Sequence, residues 1–185
     1  MSSVEARARI LQAARTLLAE RAFSELTVDA VMAEAGLKRT IFYRHFRDLP
    51  QLMPELLPDS DAPLIDDIQR VERERPREVV GAMIAGLVDV FADHGPLLRA
   101  IDAAGSQDAD VGARLDTALE APRALIARLL AAAPHPPPDP AQSALLLMAA
   151  HRAYLLDTFG DGRAPAGARR DAARALEALW ERLLA

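Results

Sequence analysis

No cysteine occurs in the 185 residues, which excludes disulfide staples, thiolate metal sites and a cysteine nucleophile, and is in keeping with a reducing compartment. Aromatic residues are scarce, with one Trp, two Tyr and five Phe, and lysine is scarcer still, Lys38 standing alone. No uninterrupted apolar run reaches the roughly 18 residues of a membrane span. The opening MSSVEARARI alternates charged and small side chains and lacks the apolar stretch of an export signal. The expectation is a soluble cytoplasmic protein with no membrane partner. The motifs of common enzymes are missing too: there is no G-x-S-x-G elbow, no H-E-x-x-H pair, no phosphate-binding glycine loop and no dinucleotide fingerprint. His45, His94, His135 and His151 are too scattered for metal spacing, and Asp59, Asp61, Asp66 and Asp67 lack the glycine and closing glutamate of a calcium loop. Neither catalysis nor a metal or other cofactor is expected.

An apolar content of 51% in a chain of this length argues for a folded protein with a substantial core. Its charge is unevenly divided. Residues 1–50 hold eight Lys or Arg against six acids, whereas residues 51–185 hold 14 against 21, and the whole chain stands at −5. An acidic body repels a polyanion, so any nucleic-acid contact is expected in the N-terminal quarter.

Apolar periodicity is helical nearly throughout. Ile10, Ala14, Leu17 and Leu18 mark an amphipathic helix over Val4–Arg21, with Phe23 and Leu26 covering its end. Thr27 is a good N-cap for a short helix to about Glu34, and Asp29 is favourably placed near its positive end. Gly36 supplies a tight turn, and a second short helix is expected over Lys38–His45. Two short helices around a glycine, propped by a longer one, are a helix-turn-helix arrangement. On a helical wheel, Phe42 and Phe46 share one side with Ile41 at its edge, while Arg39, Thr40, Tyr43, Arg44 and Arg47 gather opposite. Lys38 and His45 fall in the aromatic half and must reach out from its rim. Such a face suits the DNA major groove: Arg or Lys bonds guanine edges, Thr touches a thymine methyl, and Tyr or His donates to phosphate. The plainer alternative is a solvated basic face beside ordinary core aromatics.

The segment ILQAARTLLAERAFSELTVDAVMAEAGLKRTIFYRHFRDLPQL, Ile10–Leu52, resembles the N-terminal domain of the TetR family of bacterial transcriptional regulators, in its ILQAARTLL helix, the TV start of the next, AGL at the turn and FYRHF at the end of the recognition helix. FADHGPLLRA and AHRAYLLDTFGD resemble the ethionamide-resistance-repressor-like subgroup. The resemblance implies that Arg39, Thr40 and Ile41 meet bases or the sugar edge, and that Tyr43 and His45, with Thr27 nearby, meet phosphates. Lys38 stands where the family has a capping Ser, and Ile41 where Thr is common. Leu49 and Pro50 replace a frequent Lys-Glu, a loss that Arg47 can offset, and Met32 fills a position usually small. The implied division is a DNA-binding domain over 1–47 and an effector-binding and dimerisation domain over 48–185.

The body reads as further helices, about nine in all with the N-terminal ones, giving an all-α fold. Pro50 suits a first helical turn, Pro54 a kink or break, and residues 59–62 a loop, with helicity resuming over Pro63–Arg75. A helix from Pro76 is broken at His94, Gly95 and Pro96, a short one runs to about Ala104, and GSQD precedes a long helix over Ala109–Ala132 kinked at Pro122. The proline-rich connector Ala131–Ala141 leads to two final helices, Pro140–Phe159 and Pro165–Leu184. Ala141, Ala144, Leu145, Met148 and Ala149 on one, and Ala172, Ala175, Leu176, Leu179, Trp180 and Leu183 on the other, offer stripes for a four-helix homodimer interface or for intramolecular core. Met83, Ile84, Leu87, Phe91, Leu98 and Ile101, with Met148, His151, Tyr154 and Leu155, are candidate walls for a small hydrophobic or aromatic effector. The expected function is a repressor released from a palindromic double-stranded operator by such an effector. The alternative is a module of the same fold that binds ligands or proteins and has weak or lost operator binding.

Overall fold

A computed structural model describes residues 2–56 and 79–184. Among them the chain is all-α, as expected, with nine α-helices, two short 3-10 turns and no strand. The expected loop at 59–62, the helix over 63–75 and the helix start at Pro76 lie outside the described residues. Two compact units form, one of Met1–Leu57 with Pro96–Thr117, the other of Pro58–Gly95 with Ala118–Ala185. The expected functional division after residue 47 does not coincide with these units, because residues 96–117 complete the N-terminal core.

In the first unit, α1 (Ser3–Leu18) opens on a capping box in which the Ser2 hydroxyl accepts from the Glu5 N–H and the Glu5 carboxylate accepts from the Ser2 N–H. It stops before Arg21, where the last buried pair, Leu17 and Leu18, is followed by exposed residues and by an extended Ala22 that turns Phe23 back onto the core. Thr27 caps α2 (Val28–Glu34) by accepting from the Ala30 N–H at 3.1 Å. Gly36 then takes φ +64°, a left-handed turn open to glycine at little cost. Next comes α3 (Arg39–Phe42), shorter than the expected Lys38–His45: Lys38 offers no capping side chain, and the chain tightens into i to i+3 bonds at Arg44 and His45. Asp48 caps α4 (Leu49–Leu52), with Pro50 in its first turn, and a 3-10 turn over Met53–Leu56 replaces the helix at Pro54.

The next span, α5 (Val79–Gln107), is two helical segments joined across a kink at His94, where the sequence places the break, and its second segment is longer than expected. Pro96 removes one N–H and crowds the Ala92 carbonyl, so only His94 leaves helical geometry, at φ −127° and ψ 17°, and the helix runs on past Ala104. Its first half gives Val79, Met83, Ile84 and Val88 to the second core, and its last turns give Leu97, Ala100, Ile101 and Ala104 to the first. By length and composition α5 could cross a membrane. Its buried side chains serve these two cores instead, and its Asp89 and Asp93 pair with Arg169.

Asp108 accepts from the N–H groups of Asp110 and Val111 at the start of α6 (Ala109–Ala118). Then α7 (Glu120–Ala131) begins afresh after Leu119. The expected kink at Pro122 thus takes the form of a one-residue interruption at Leu119, which keeps right-handed geometry at φ −88° and ψ 0°, as the proline ring excludes the carbonyl four residues before it, that of Ala118. Asp139 caps α8 (Pro140–Phe159), which starts and ends where the sequence places it, and α9 (Ala168–Leu184) closes the second unit. Leu125, Ile126, Leu130, Ala144, Leu155, Phe159, Leu176 and Trp180 join the α5 residues in that core.

Gly95 touches α8 directly: a β-carbon there would lie 2.1 Å from the Phe159 carbonyl oxygen and 2.6 Å from its carbon. Gly95→Ala is expected to destabilise the fold by about 2–3 kcal/mol in urea unfolding, through forced backbone separation. Gly81 in the same helix has open space around it, so Gly81→Ala should gain about 0.5–1 kcal/mol. Equal midpoints for the two variants would refute this account of the crossing.

Candidate nucleic-acid interface

Phe42 and Phe46 are buried, at 0% and 2% exposure, with their ring centroids 5.6 Å apart. They anchor the α3 turn to Ile10, Leu18, Val31 and Leu52 in the first core, alongside Leu97 and Val111. With the aromatic side committed inward, Lys38, Arg39, Thr40, Tyr43, Arg44 and Arg47 are exposed, as is the capping Thr27. His45 is half-buried. Ile41 is half-buried too and packs against the core, which leaves only part of it for any base or sugar contact.

Two arginines of α1 hold this surface in place, and the sequence reading missed both roles. Arg9 donates to the Ala35 carbonyl at 2.5 Å, bracing the turn between α2 and α3. Arg7 pairs with Glu55 and lies 5.5 Å over the Phe46 ring. A cation four residues after Glu5 could be suspected of a surface role, but its partners lie far away in sequence and leave no local signal.

The exposed cations are not all idle. Arg39 bonds Asp29 of α2 through Nη1 at 2.7 Å and the Tyr43 hydroxyl through Nη2 at 3.1 Å, and its guanidinium stands 5.8 Å from the Tyr43 ring centre. The Tyr43 bond and then the Asp29 charge hold its pKa above an already high ordinary value. Arg47 bonds Asp48 at 2.7 Å and comes within 3.8 Å of Asp110, again with a raised pKa caused chiefly by the Asp48 bond. Burial raises the Asp48 pKa, but the bonds from Arg47 and the Gln51 N–H outweigh it and leave the carboxyl below its usual range. Arg47 is therefore already engaged where the sequence would have it replace a lost phosphate contact.

In the second unit, Met83, Ile84, His151 and Leu155 are buried in one core, and Leu87, Phe91 and Met148 pack partly buried against it. Leu98 and Ile101 belong to the first unit, and Tyr154 is 39% exposed, so neither group shares that core. His151 is 2% exposed with Nε2 unpartnered, and its ring centre is 6.2 Å from that of Trp180, whose Nε1 is also unpartnered. A cleft of about 650 Å³ opens beside Val79, Val80, Leu129, Ala132, Trp180 and Leu184, residues the sequence did not single out as effector walls. The expected dimer stripes divide. Ala144, Ala172, Leu176 and Trp180 are intramolecular core and Met148 is half-buried, while Leu145, Leu179 and Leu183 remain exposed along with Ala141, Ala149 and Ala175. Leu146 is exposed too, at 63%.

Residues 10–56 match the model of the bacterial regulatory proteins, tetR family. The chain is 36% identical over 85 residues to an uncharacterized HTH-type transcriptional regulator of Haemophilus influenzae, covering 46% of this chain and 40% of that relative, so it spans about two fifths of the relative's length. A candidate transcriptional regulator from Pseudomonas aeruginosa PAO1 has the same fold over 99% of this chain and 92% of its own, with TM-score 0.72 and 16% identity. A candidate TetR-family regulator from Mesorhizobium loti MAFF303099 covers 98% of each chain, with TM-score 0.64 and 19% identity.

Desolvation holds the pKa of His151 below its ordinary 6.5, which favours the neutral imidazole in the fold. The unfolded chain takes up the proton first on acidification. The stability from neutral His151 is complete above about 6.5 and is lost as pH falls below that value toward the folded pKa. Urea midpoints read from Trp180, the single tryptophan, are expected to drop between pH 7.5 and pH 5.5, and to drop less in His151→Leu. Identical drops in both proteins would show that His151 carries no such linkage.

Proposed function

We propose that this chain, with its tetR-type segment over residues 10–56, is a homodimeric DNA-binding transcriptional regulator: a repressor that a small hydrophobic effector releases from a palindromic operator. The observation that carries it is the row Lys38, Arg39, Thr40, Tyr43 and Arg44, exposed on a turn whose aromatic side is fully buried, in a chain otherwise rich in acids. A surface of this kind can place a guanidinium at a guanine edge while hydroxyls and cations steady it on the phosphates. The subgroup likeness rests on FADHGPLLRA and AHRAYLLDTFGD and is carried as part of the proposal.

One short helical turn reads too few bases to find a site in a genome, so two copies are needed, on half-sites about one helical turn or more apart. The exposed apolar residues of α8 and α9 supply a surface for pairing. With Leu145, Leu146, Leu147 and Met148 in succession, α8 is apolar around most of its circumference, although only part of it meets the core. Effector binding is supported by the second core, whose apolar side chains surround two unpartnered polar atoms, His151 Nε2 and Trp180 Nε1. To weaken operator binding about 100-fold, an effector needs about 2.7 kcal/mol of preference for the released form.

One observation favours a second reading, a module of this fold with weak or lost operator binding: Asp29, Asp48 and Asp110 already engage two of the cations that DNA would need. Gel retardation of the protein's own upstream DNA separates the two. Operator binding should weaken by orders of magnitude between about 50 and 200 mM salt, as roughly eight to ten neutralised phosphates per dimer require. Arg39→Ala with Tyr43→Phe should abolish it, and full retardation by that double variant would reject the assigned surface. Leu145→Glu with Leu179→Glu should give a folded monomer in sedimentation and at least tenfold weaker retardation. A dimer that persists in this variant would place the pairing surface elsewhere.

A further inference from the structure

The Asp29–Arg39–Tyr43 group combines features that a plain basic surface lacks. The carboxylate comes from the first turn of α2 and the guanidinium from the first residue of α3, so the contact crosses the helix-turn-helix. Both side chains are exposed, at 56% for Arg39 and 67% for Asp29, so nothing in the core requires them to meet. Arginine carries five N–H donors, of which Asp29 and the Tyr43 hydroxyl take two. Three remain, and a bidentate bond to guanine uses two.

We propose that Asp29 is a specificity-determining positioning residue, whose carboxylate, with the Tyr43 side chain, fixes Arg39 for a neutral guanine edge and bars it from the phosphate backbone. The role rests on the DNA-binding function proposed above. A phosphate drawn to Arg39 would come close to a carboxylate 2.7 Å behind it, whereas the uncharged guanine edge meets no such repulsion. Holding the long side chain before docking also removes most of the entropy that an unconstrained arginine loses on binding. As the duplex displaces water from the pair, the Asp29 charge acts through a lower dielectric and its orienting effect strengthens. Tyr43, by the same geometry, serves the arginine first and the phosphate second.

The test is selection from a randomised duplex pool by the full-length wild type and Asp29→Asn, with base frequencies read by sequencing, joined to titration of an unselected duplex across salt. The wild type should prefer guanine at one position per half-site. Asp29→Asn should lose about tenfold of that preference, bind unselected duplex several-fold more tightly, and steepen the salt slope by about one per protomer. Asp29→Glu, which keeps the charge, should restore most of the preference. In an Arg39→Met background, which has no donor for a guanine edge, Asp29→Asn should leave base frequencies unchanged. An unaltered guanine preference in Asp29→Asn overturns the proposal, whether or not overall affinity rises. A wild type that retains no duplex at any salt overturns the DNA-binding function and this role with it, and the wild-type lane alone tells the two failures apart.

Discussion

Burying Phe42 and Phe46 leaves Arg39, Thr40 and Tyr43 no direction but outward. A single helical turn has almost no stability of its own, since nucleating it fixes several dihedrals for very few hydrogen bonds. Here α3 spans only Arg39–Phe42 and lacks a side-chain cap, so its shape is borrowed from the packing beneath it. That packing draws on α1 and α2, and also on Leu97, Ala100 and Val111, which are far away in the chain. The exposed row is therefore as rigid as the first core and no more. Arg9 at the Ala35 carbonyl and Arg7 over Phe46 are the polar continuation of the same constraint.

Charge works against the surface as well as for it. The acids nearest the cations are part of the local architecture: Asp29 sits at the positive end of α2, and Asp48 caps α4 while it bonds Arg47. Each is favourable for its own helix whatever lies outside. A polyanion approaching this face must compete with them, so the distinction between a DNA reader and a silent relative lies in a few ion pairs and not in the fold. The solved structures that share the fold do so at 16% and 19% identity, which leaves such pairs free to differ between chains.

How much was legible in the sequence depended on the range of the signal. Thr27, Gly36, Pro50 and Pro140 act on their immediate neighbours, and the helix starts and turns they mark are found where the sequence places them. Proline acts on the carbonyl four residues back, so the kink beside Pro96 falls at His94, where the sequence places it, while the interruption expected at Pro122 appears at Leu119. Periodicity leaves the stripes of α8 and α9 open between interface and core, and the structure divides them: Ala144 is core and its neighbour Leu145 surface, while α9 buries Ala168, Ala172, Leu176 and Trp180 at regular spacing. Contacts between distant residues, such as Arg9 with Ala35 or Arg39 with Asp29, leave no trace in any window of sequence.

The contact of Gly95 with the Phe159 carbonyl fixes a fulcrum in the second unit, because two main chains already touch there and cannot come closer. Side chains elsewhere in that unit can grow or shrink around this point without moving it. A lineage could thus exchange the apolar side chains of that unit, residue by residue, while the angle at which α5 and α8 meet stays inherited.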